Sequence, residues 1–278
     1  MSKSIYPCLW FDGQAEEAAK LYCSVFHHST ITEKNPIVVR FELDGFRVMA
    51  LNGGPKFKIN PSISLFVYCT SEEETERIYT ALITGGTAMM PLDKYPWSAK
   101  YGWLQDKFGM TWQVSVVDKP GTPFSITPCL LFTSAQFGKA EEAIGFYSSV
   151  FKNSTTDMLF HYEPGNVNAG NVLYSEFRLN DYPLIAMDGP GEHGYTFGEG
   201  VSLVVECETQ EEIDHYWQKL TVGGREDMCG WLKDKFGVSW QIVPSILGKL
   251  MNDPEKNQRV TQAVLQMRKF DIERLLQA

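Results

Sequence analysis

The string AEEAAKLYCSVF at residues 15–26 returns as AEEAIGFYSSVF at residues 140–151. Its apolar positions recur at helical spacing, so the string predicts an amphipathic helix in each copy. The tripeptide Pro-Cys-Leu precedes both copies, at 7–9 and 128–130, and the strings GWL and DKFG follow both, within 102–109 and 230–237. So many matches in one order indicate that the chain is an internal duplication.

Each half also contains a smaller repeat of strand, helix and hairpin. In the first half, Ile37 to Leu43 and Phe46 to Leu51 read as two strands of a hairpin. A second unit then opens with an apolar run and the capping box of Ser71 and Glu74, which Thr209 and Glu212 match in the second half. The fold class predicted is α+β, with two βαβββ modules in each half. The predicted boundaries are a first domain at 1–119, a second at 124–245 and a helical tail at 246–278.

The tail differs from the rest of the chain in charge and pattern. Asp253-Pro254-Glu255 has the form of a helix start, and a second short helix is expected from Asp271. Six basic and four acidic residues give the tail a charge of about +2. We expect its helices to pack across the two domains or onto a second subunit.

Composition excludes several classes of protein. The 278 residues carry 25 Lys and Arg against 34 Asp and Glu, a formal net charge of −9. An acidic chain is a poor partner for nucleic acid or an anionic membrane, and no apolar run approaches the roughly 20 residues that cross a bilayer. The N-terminus shows no secretory signal. We therefore expect a cytoplasmic protein with no nucleic-acid or membrane partner.

The six cysteines include no CxxC pair, and four of them lie in apolar runs that read as strands: Cys8, Cys69, Cys129 and Cys207. A disulfide or zinc framework is one interpretation. Buried, reduced cysteines acting as small apolar side chains fit the pattern better.

Three motifs carry a resemblance to a known family. They are LWFDG at 9–13 followed by AEEA at 15–18, PLDKYPW at 91–97, and YGW at 101–103 followed by DKFG and Trp112. The chain resembles the PhnB-like branch of the vicinal-oxygen-chelate superfamily, which also holds glyoxalase I, bleomycin-resistance proteins and extradiol dioxygenases. Members of this branch are often catalogued as 3-demethylubiquinone-9 3-methyltransferase. The resemblance implies tandem domains whose paired βαβββ modules form a cupped, antiparallel-rich sheet around a pocket.

Methyl transfer is not supported by the glycines. A methyltransferase using S-adenosylmethionine usually has a Gly-rich loop between a parallel strand and a helix. The glycine clusters here contain no GxGxG or GxGxxG, and they fall where hairpins and helix ends are expected.

Metal chemistry meets a similar difficulty. In metal-using members of the superfamily, His, Glu or Gln on the first and last strands of the modules hold the ion. The corresponding positions here fall near Pro7 and Pro128, Ser64 and Ser202, 49–51 and 186–187, and Gln113 and Gln241. Only the two glutamines are plausible ligands, so the chain is predicted to hold no metal and no other cofactor. No catalytic residue is assigned, since Asp106 and Asp234 precede Gly-containing turns and are expected to cap them.

Aromatic residues are the best candidates for a binding site. The pocket residues predicted from strand alternation and from the resemblance are Phe11, Phe66, Tyr68, Trp97, Trp103 and Gln113. Filling of the core by these rings is the alternative interpretation. From Gly86 to Gly102 there are 16 steps but from Gly224 to Gly230 only 6, so the segment with Trp97 has no counterpart in the second half. We therefore expect the working pocket in the first half.

The sequence thus predicts a metal-independent protein that binds a small aromatic or hydrophobic molecule in the first-domain pocket. A metal-dependent lyase, isomerase or dioxygenase-like enzyme stays open as an alternative, as does the quinone methyltransferase that the family name implies. A third alternative is a structural or interaction protein, because the fused repeats form an internal pseudo-dimer like a homodimer of single-domain relatives. Homodimerisation of the whole chain also stays open.

Overall fold

The computed structural model describes residues 5–117 and 121–278. Residues 1–4 and 118–120, which include the predicted end of the first domain at 119, lie outside the described residues.

The first half contains two modules of four strands and one helix. The first module is β1 (Ile5–Phe11), α1 (Ala15–Val25), β2 (Thr30–Lys34), β3 (Val38–Leu43) and β4 (Phe46–Asn52). The second module is β5 (Ile63–Cys69), α2 (Glu72–Ile83), β6 (Thr87–Tyr95), β7 (Ser98–Gln105) and β8 (Thr111–Val116). The predicted βαβββ order is confirmed in both modules.

The second half repeats this order and then adds the tail. Its first module is β9 (Ser125–Phe132), a short 3-10 turn, α3 (Ala140–Val150), β10 (Thr155–His161), β11 (Val172–Leu179) and β12 (Tyr182–Asp188). Its second module is β13 (Val201–Cys207), α4 (Gln210–Leu220), β14 (Arg225–Glu226), β15 (Trp231–Lys233) and β16 (Ser239–Pro244). The tail contains α5 (Leu247–Met251), α6 (Asn257–Leu265) and α7 (Ile272–Gln277).

The strands of the described residues form two eight-stranded sheets, and each sheet combines both halves. Sheet 1 has the order β14-β15-β16-β13-β1-β4-β3-β2, and sheet 2 has the order β10-β11-β12-β9-β5-β8-β7-β6. The halves meet through two antiparallel pairs, β1 with β13 and β5 with β9. The two modules of one half therefore belong to different sheets.

The helices α1 to α4 lie between the two sheets. The ring of Tyr22 on α1 lies 6.0 Å from Phe41 of sheet 1 and 5.0 Å from Trp112 of sheet 2. In the second half, Tyr147 on α3 lies 5.4 Å from Trp240. Buried residues of both halves thus form one continuous hydrophobic core of helices and strand faces. The opposite face of each sheet, which turns away from α1 to α4, is called here its cup face.

In each half, one buried aspartate ties the first helix to the turn and last strand of the second module. Asp106 accepts hydrogen bonds from the Tyr22 hydroxyl at 2.8 Å, the Trp112 indole at 2.9 Å, and the backbone N–H groups of Phe108 and Met110. Asp234 makes the same four bonds in the second half. Burial raises the pKa of Asp106, while these four bonds favour its charged form. The predicted turn-capping role of both aspartates is confirmed.

Two strands escaped the sequence-based prediction. Strands β2 and β6 lie at sheet edges, their side chains are mostly exposed, and bulges interrupt their pairing. An edge strand exposed on both faces shows no clear alternation of apolar and polar residues. Trp97 lies in the turn between β6 and β7, which form a β-hairpin arm.

The tail contacts both halves. Asn252 donates a 2.8 Å hydrogen bond to Glu33 of β2, while the backbone N–H groups of Cys229 and Gly230 donate to carbonyls of residues 267 and 268. A Cβ at Gly230 would lie 2.5 Å from the Phe270 ring, and a Cβ at the matching Gly102 would lie 3.2 Å from Cα of Leu92. The same Cβ at Gly102 would lie closer still, 2.4 Å, to the Tyr79 ring, so Phe270 of the tail covers Gly230 as Tyr79 covers Gly102.

The starts of the tail helices only partly follow the sequence. Asp271 precedes α7 and accepts a hydrogen bond from the Arg274 N–H, as expected of a cap. The helix expected from Asp253 begins instead at Asn257, because Asp253 forms a turn with Glu255.

All six cysteines are free thiols, and Cys8, Cys69, Cys129 and Cys207 are buried. The predicted burial of these four cysteines is therefore confirmed. Within the described residues, none of the helices combines the length and the apolarity that spanning a membrane requires.

Candidate functional site

The cup face of sheet 2 carries most of the predicted pocket residues. Strand pairing aligns Ser64 with Cys129, and the alternation along β5 then places Phe66 and Tyr68 on the same face. Neighbouring strands contribute Gln113, Tyr101 and Trp103 to that face. Two modules from different halves therefore build one continuous surface.

A chain of hydrogen bonds forms the floor of this surface. The Tyr101 hydroxyl donates to Oε1 of Gln113 at 2.7 Å, and Nε2 of Gln113 donates to the Ser64 hydroxyl at 2.8 Å. The thiol of Cys129 lies against the same glutamine and serine, and burial raises its pKa to about 12. All four side chains are buried, so the floor is polar, neutral and internally paired.

Sheet 1 repeats the floor with matching residues. Nε2 of Gln241 donates to the Ser202 hydroxyl at 2.9 Å, and burial raises the pKa of the adjacent Cys8 to about 12. In each floor the cysteine comes from one half of the chain and the serine and glutamine from the other. Neither floor exists until both halves are folded together.

Aromatic rings form one wall above the floor of sheet 2. Phe66 stacks on Tyr68 with ring centroids 4.6 Å apart and lies 6.1 Å from Tyr101. At the rim, Trp97 stacks on Tyr95 at 5.1 Å and contacts Tyr101 edge-on at 5.7 Å. The Trp97 side chain is 57% exposed, so this ring presents its free surface to solvent beside the cup face.

The other wall comes from the second half. Tyr174 donates a hydrogen bond of 2.5 Å to Glu176, the Tyr68 hydroxyl lies 3.2 Å from the same carboxylate oxygen, and the two tyrosine hydroxyls also bond to each other. On the edge strand β10, Met158 pairs with Glu176 of β11 and Phe160 pairs with Tyr174, so this face extends to the edge of the sheet. The Phe160 ring is 56% exposed.

The structure brings five of the six predicted pocket residues to this sheet: Phe66, Tyr68, Trp97, Trp103 and Gln113. Phe11 is not among them, because it lies in sheet 1 and packs against Phe108 in the core between the sheets. Its misplacement has a simple cause, since Cys8 rather than Pro7 shares the cup face with Ser202. A register error of one residue moves every side chain of a strand to the opposite face.

Sequence reasoning missed Tyr174 and Glu176. Their spacing of two along an alternating run was a usable signal. The prediction that the working pocket lies in the first half excluded both residues.

Comparisons with known proteins agree with this architecture. A family model described as 3-demethylubiquinone-9 3-methyltransferase matches residues 3–115 and again residues 124–243. The chain belongs to this family. The 3-demethylubiquinone-9 3-methyltransferase family thus accounts for both halves, one model match to each. A comparison with curated proteins gave no match.

Some solved structures resemble one half of the chain and others the whole chain. A structure described as a putative 3-demethylubiquinone-9 3-methyltransferase, PhnB protein, from Bacillus cereus is 35% identical, covers 40% of this chain and 98% of its own, and has a TM-score of 0.38. Glyoxalase I from Zea mays is 12% identical, covers 90% of this chain and 95% of its own, and has a TM-score of 0.57. The second likeness shows that a glyoxalase-type fold extends over both halves.

The residues on the cup faces do not fit the divalent metal that metal-using superfamily members hold. The positions at the floor of sheet 1 are Cys8, Met49, Ser202 and Gln241, and those of sheet 2 are Cys129, Ile185, Ser64 and Gln113. Neither set has a histidine or carboxylate, and each thiol is held protonated by its raised pKa. Among the described residues, no three His, Cys, Asp or Glu side chains group as a metal site.

The glycines do not form the loop that S-adenosylmethionine usually requires. Gly85 and Gly223 have φ of +78° and +75° and follow the ends of α2 and α4. Within the described ranges, no paired glycines connect a parallel strand to a helix. The described residues of this family member therefore contain no Gly-rich loop of the kind that usually binds S-adenosylmethionine.

Proposed function

We propose that the chain is a cytoplasmic protein that binds a small aromatic molecule on the cup face of sheet 2 without the aid of a metal. The observation that carries the proposal is the aromatic wall over a neutral polar floor, with the Trp97 ring exposed at its rim. A mainly apolar surface with a few fixed polar groups is typical of small-molecule sites. The six free cysteines support a reducing compartment.

The floor supports binding rather than a chemical step. Tyr101, Gln113 and Ser64 satisfy one another, and burial together with neighbouring groups raises the pKa of Tyr101. None of these groups is therefore poised to exchange a proton near neutral pH. They instead hold the strands and rings above them in place, and a ligand would contact the exposed aromatic side chains such as Trp97.

Replacing Trp97 by Ala should weaken binding of a neutral aromatic probe such as quinoline by about fivefold to tenfold, because one stacked ring contributes about 1 kcal/mol. Isothermal titration at pH 8 measures this change. Trp97 is more than half exposed, so the substitution should leave the melting temperature nearly unchanged.

Trp231 provides the matched control for this substitution. It occupies the Trp103 position in the other sheet, since it pairs with Gln241 as Trp103 pairs with Gln113. Trp231→Ala should leave quinoline affinity as it is in the wild type. Equal losses in Trp97→Ala and Trp231→Ala, or no loss in Trp97→Ala, would contradict the assignment of the site to sheet 2.

Removal of divalent metal should change neither stability nor binding, because the floor positions lack charged ligands. Thermal unfolding of untagged protein with and without EDTA, together with elemental analysis, measures this directly. Stoichiometric metal and a melting temperature that falls on chelation would overturn the metal-independent proposal and favour the enzyme alternative.

A further inference from the structure

The pseudo-symmetry of the two sheets allows their cup faces to be compared residue by residue. Cys8 aligns with Met49 in sheet 1 as Cys129 aligns with Ile185 in sheet 2. One strand further, Arg40 pairs with Met49 and Glu176 pairs with Ile185. An arginine in one sheet thus corresponds to a glutamate in the other.

Two further positions differ in the same region. At the edge, Glu33 pairs with Arg40, whereas Met158 pairs with Glu176. On the central strands, Glu206 lies four residues after Ser202, and Tyr68 lies four residues after Ser64. Sheet 2 therefore has methionine and tyrosine where sheet 1 has two glutamates.

In sheet 1 the charges of this region are paired. Both terminal nitrogens of Arg47 bond to the Glu206 carboxylate, at 3.1 to 3.3 Å. Nε of Arg40 lies 3.3 Å from Glu33 and its guanidinium lies 4.0 Å from Glu206. The carboxylates of Glu33 and Glu206 are thereby both compensated by arginines.

In sheet 2 the remaining carboxylate has no such partner. Glu176 accepts a hydrogen bond from the neutral Tyr174 hydroxyl, and the Tyr68 hydroxyl lies 3.2 Å from the same oxygen. Among residues 5–117 and 121–278 no Lys, Arg or His side chain pairs with Glu176. Pro183 occupies the position of Arg47. The nearest arginine along the strand, Arg178, pairs with Asp157 at 2.8 Å.

A half-buried carboxylate among aromatic rings is costly unless a positive charge approaches it. The rings of Phe66, Tyr68 and Tyr174 also present negative π faces, which attract cations. Burial and the nearby carboxylate raise the pKa of Tyr68, so this phenol stays neutral and does not add a second charge. The wall therefore combines a carboxylate with aromatic ring faces, the two features that proteins use to bind organic cations.

We propose that the cup face of sheet 2 selects aromatic molecules that carry a positive charge, a protonated or quaternary nitrogen, and that Glu176 is the counter-charge. This inference rests on the proposed function, because it specifies the ligand class of the same surface. The ring of such a ligand would contact the aromatic wall, and its nitrogen would lie against the carboxylate and the tyrosine faces.

The test uses two probes of nearly equal shape at pH 8, the N-methylquinolinium cation and neutral quinoline. The wild type should bind the cation at least tenfold more tightly than quinoline. In Glu176→Gln the ratio of the two affinities should fall at least threefold, because only the ring faces then favour the cation. Glu163→Gln removes the same charge from an exposed loop and should keep the wild-type ratio.

Each outcome bears on a different proposal. Binding of quinoline that depends on Trp97, with no preference for the cation or with a preference that Glu176→Gln retains, would overturn the cation inference and leave the aromatic site standing. Failure of both probes to bind would overturn the proposed function and this inference with it. Loss of the preference in Glu163→Gln as well would show that only the overall charge of the protein matters.

Discussion

Replacing Asp106 by Ala should lower the free energy of unfolding by about 3–5 kcal/mol. The substitution removes the acceptor of four hydrogen bonds that join α1, the turn and β8. It also leaves the Tyr22 hydroxyl and the Trp112 indole N–H buried without a partner, and each such group costs about 1–3 kcal/mol. Equilibrium unfolding in urea, followed by circular dichroism, measures the change.

Asp93 offers a control for this experiment. Its carboxylate is exposed and bonds only to the neighbouring backbone N–H of Lys94 among the described residues. Asp93→Ala should therefore change stability by less than about 0.5 kcal/mol. Asp106→Asn should cost less than Asp106→Ala, because its amide oxygen can still accept from the N–H groups of Phe108 and Met110, while its NH2 group faces the Trp112 indole N–H. A loss below about 1 kcal/mol in both Asp106 variants would refute the bracing role of this carboxylate.

Gly86→Ala should destabilise the fold by about 3 kcal/mol, for a reason unrelated to glycine's flexibility. A Cβ at Gly86 would lie 2.1 Å from the carbonyl oxygen of Gln105 and 2.9 Å from Cα of Asp106, both of which are backbone atoms. Neither can move without shifting β7. The melting temperature and the urea midpoint should both fall.

Gly145 is the matched control for Gly86. It lies within α3, has an ordinary φ, and a Cβ there would meet no atom within 4 Å. Gly145→Ala should stabilise the protein by about 0.5–1 kcal/mol, the gain expected in an exposed helix interior. If Gly86→Ala were as well tolerated as Gly145→Ala, the close approach of α2's end to β7 would be wrong.

Local patterns predicted much of the fold. The repeated apolar spacing of the first helix and the Ser71 capping box were enough to place α1, α2 and their copies, because these signals lie within a few residues of one another. The paired glycines after α2 were also expected, although their roles differ. Gly85 supplies a positive φ, whereas Gly86 supplies space.

Signals that depend on distant residues were lost. Nothing in the duplication reveals whether two modules pair within one half or between halves, because both arrangements bury the same apolar strand faces. For that reason the sequence does not indicate that Tyr174 and Glu176 are neighbours of Phe66 and Tyr68. The register of β1, which misplaced Phe11, was likewise fixed only by its pairing with β13.

Pairing between halves also has a consequence for synthesis on the ribosome. β5 meets β9 between 57 and 67 residues later in the chain, whereas Ile5 of β1 pairs with Val205, 200 residues later. Translation adds about 5–20 residues per second, so roughly 10–40 s pass between the synthesis of β1 and that of β13. During that interval an apolar strand edge is open to another nascent chain. Slow or stalled translation between β12 and β13 should thus favour dimers in which β13 of one molecule pairs with β1 of another.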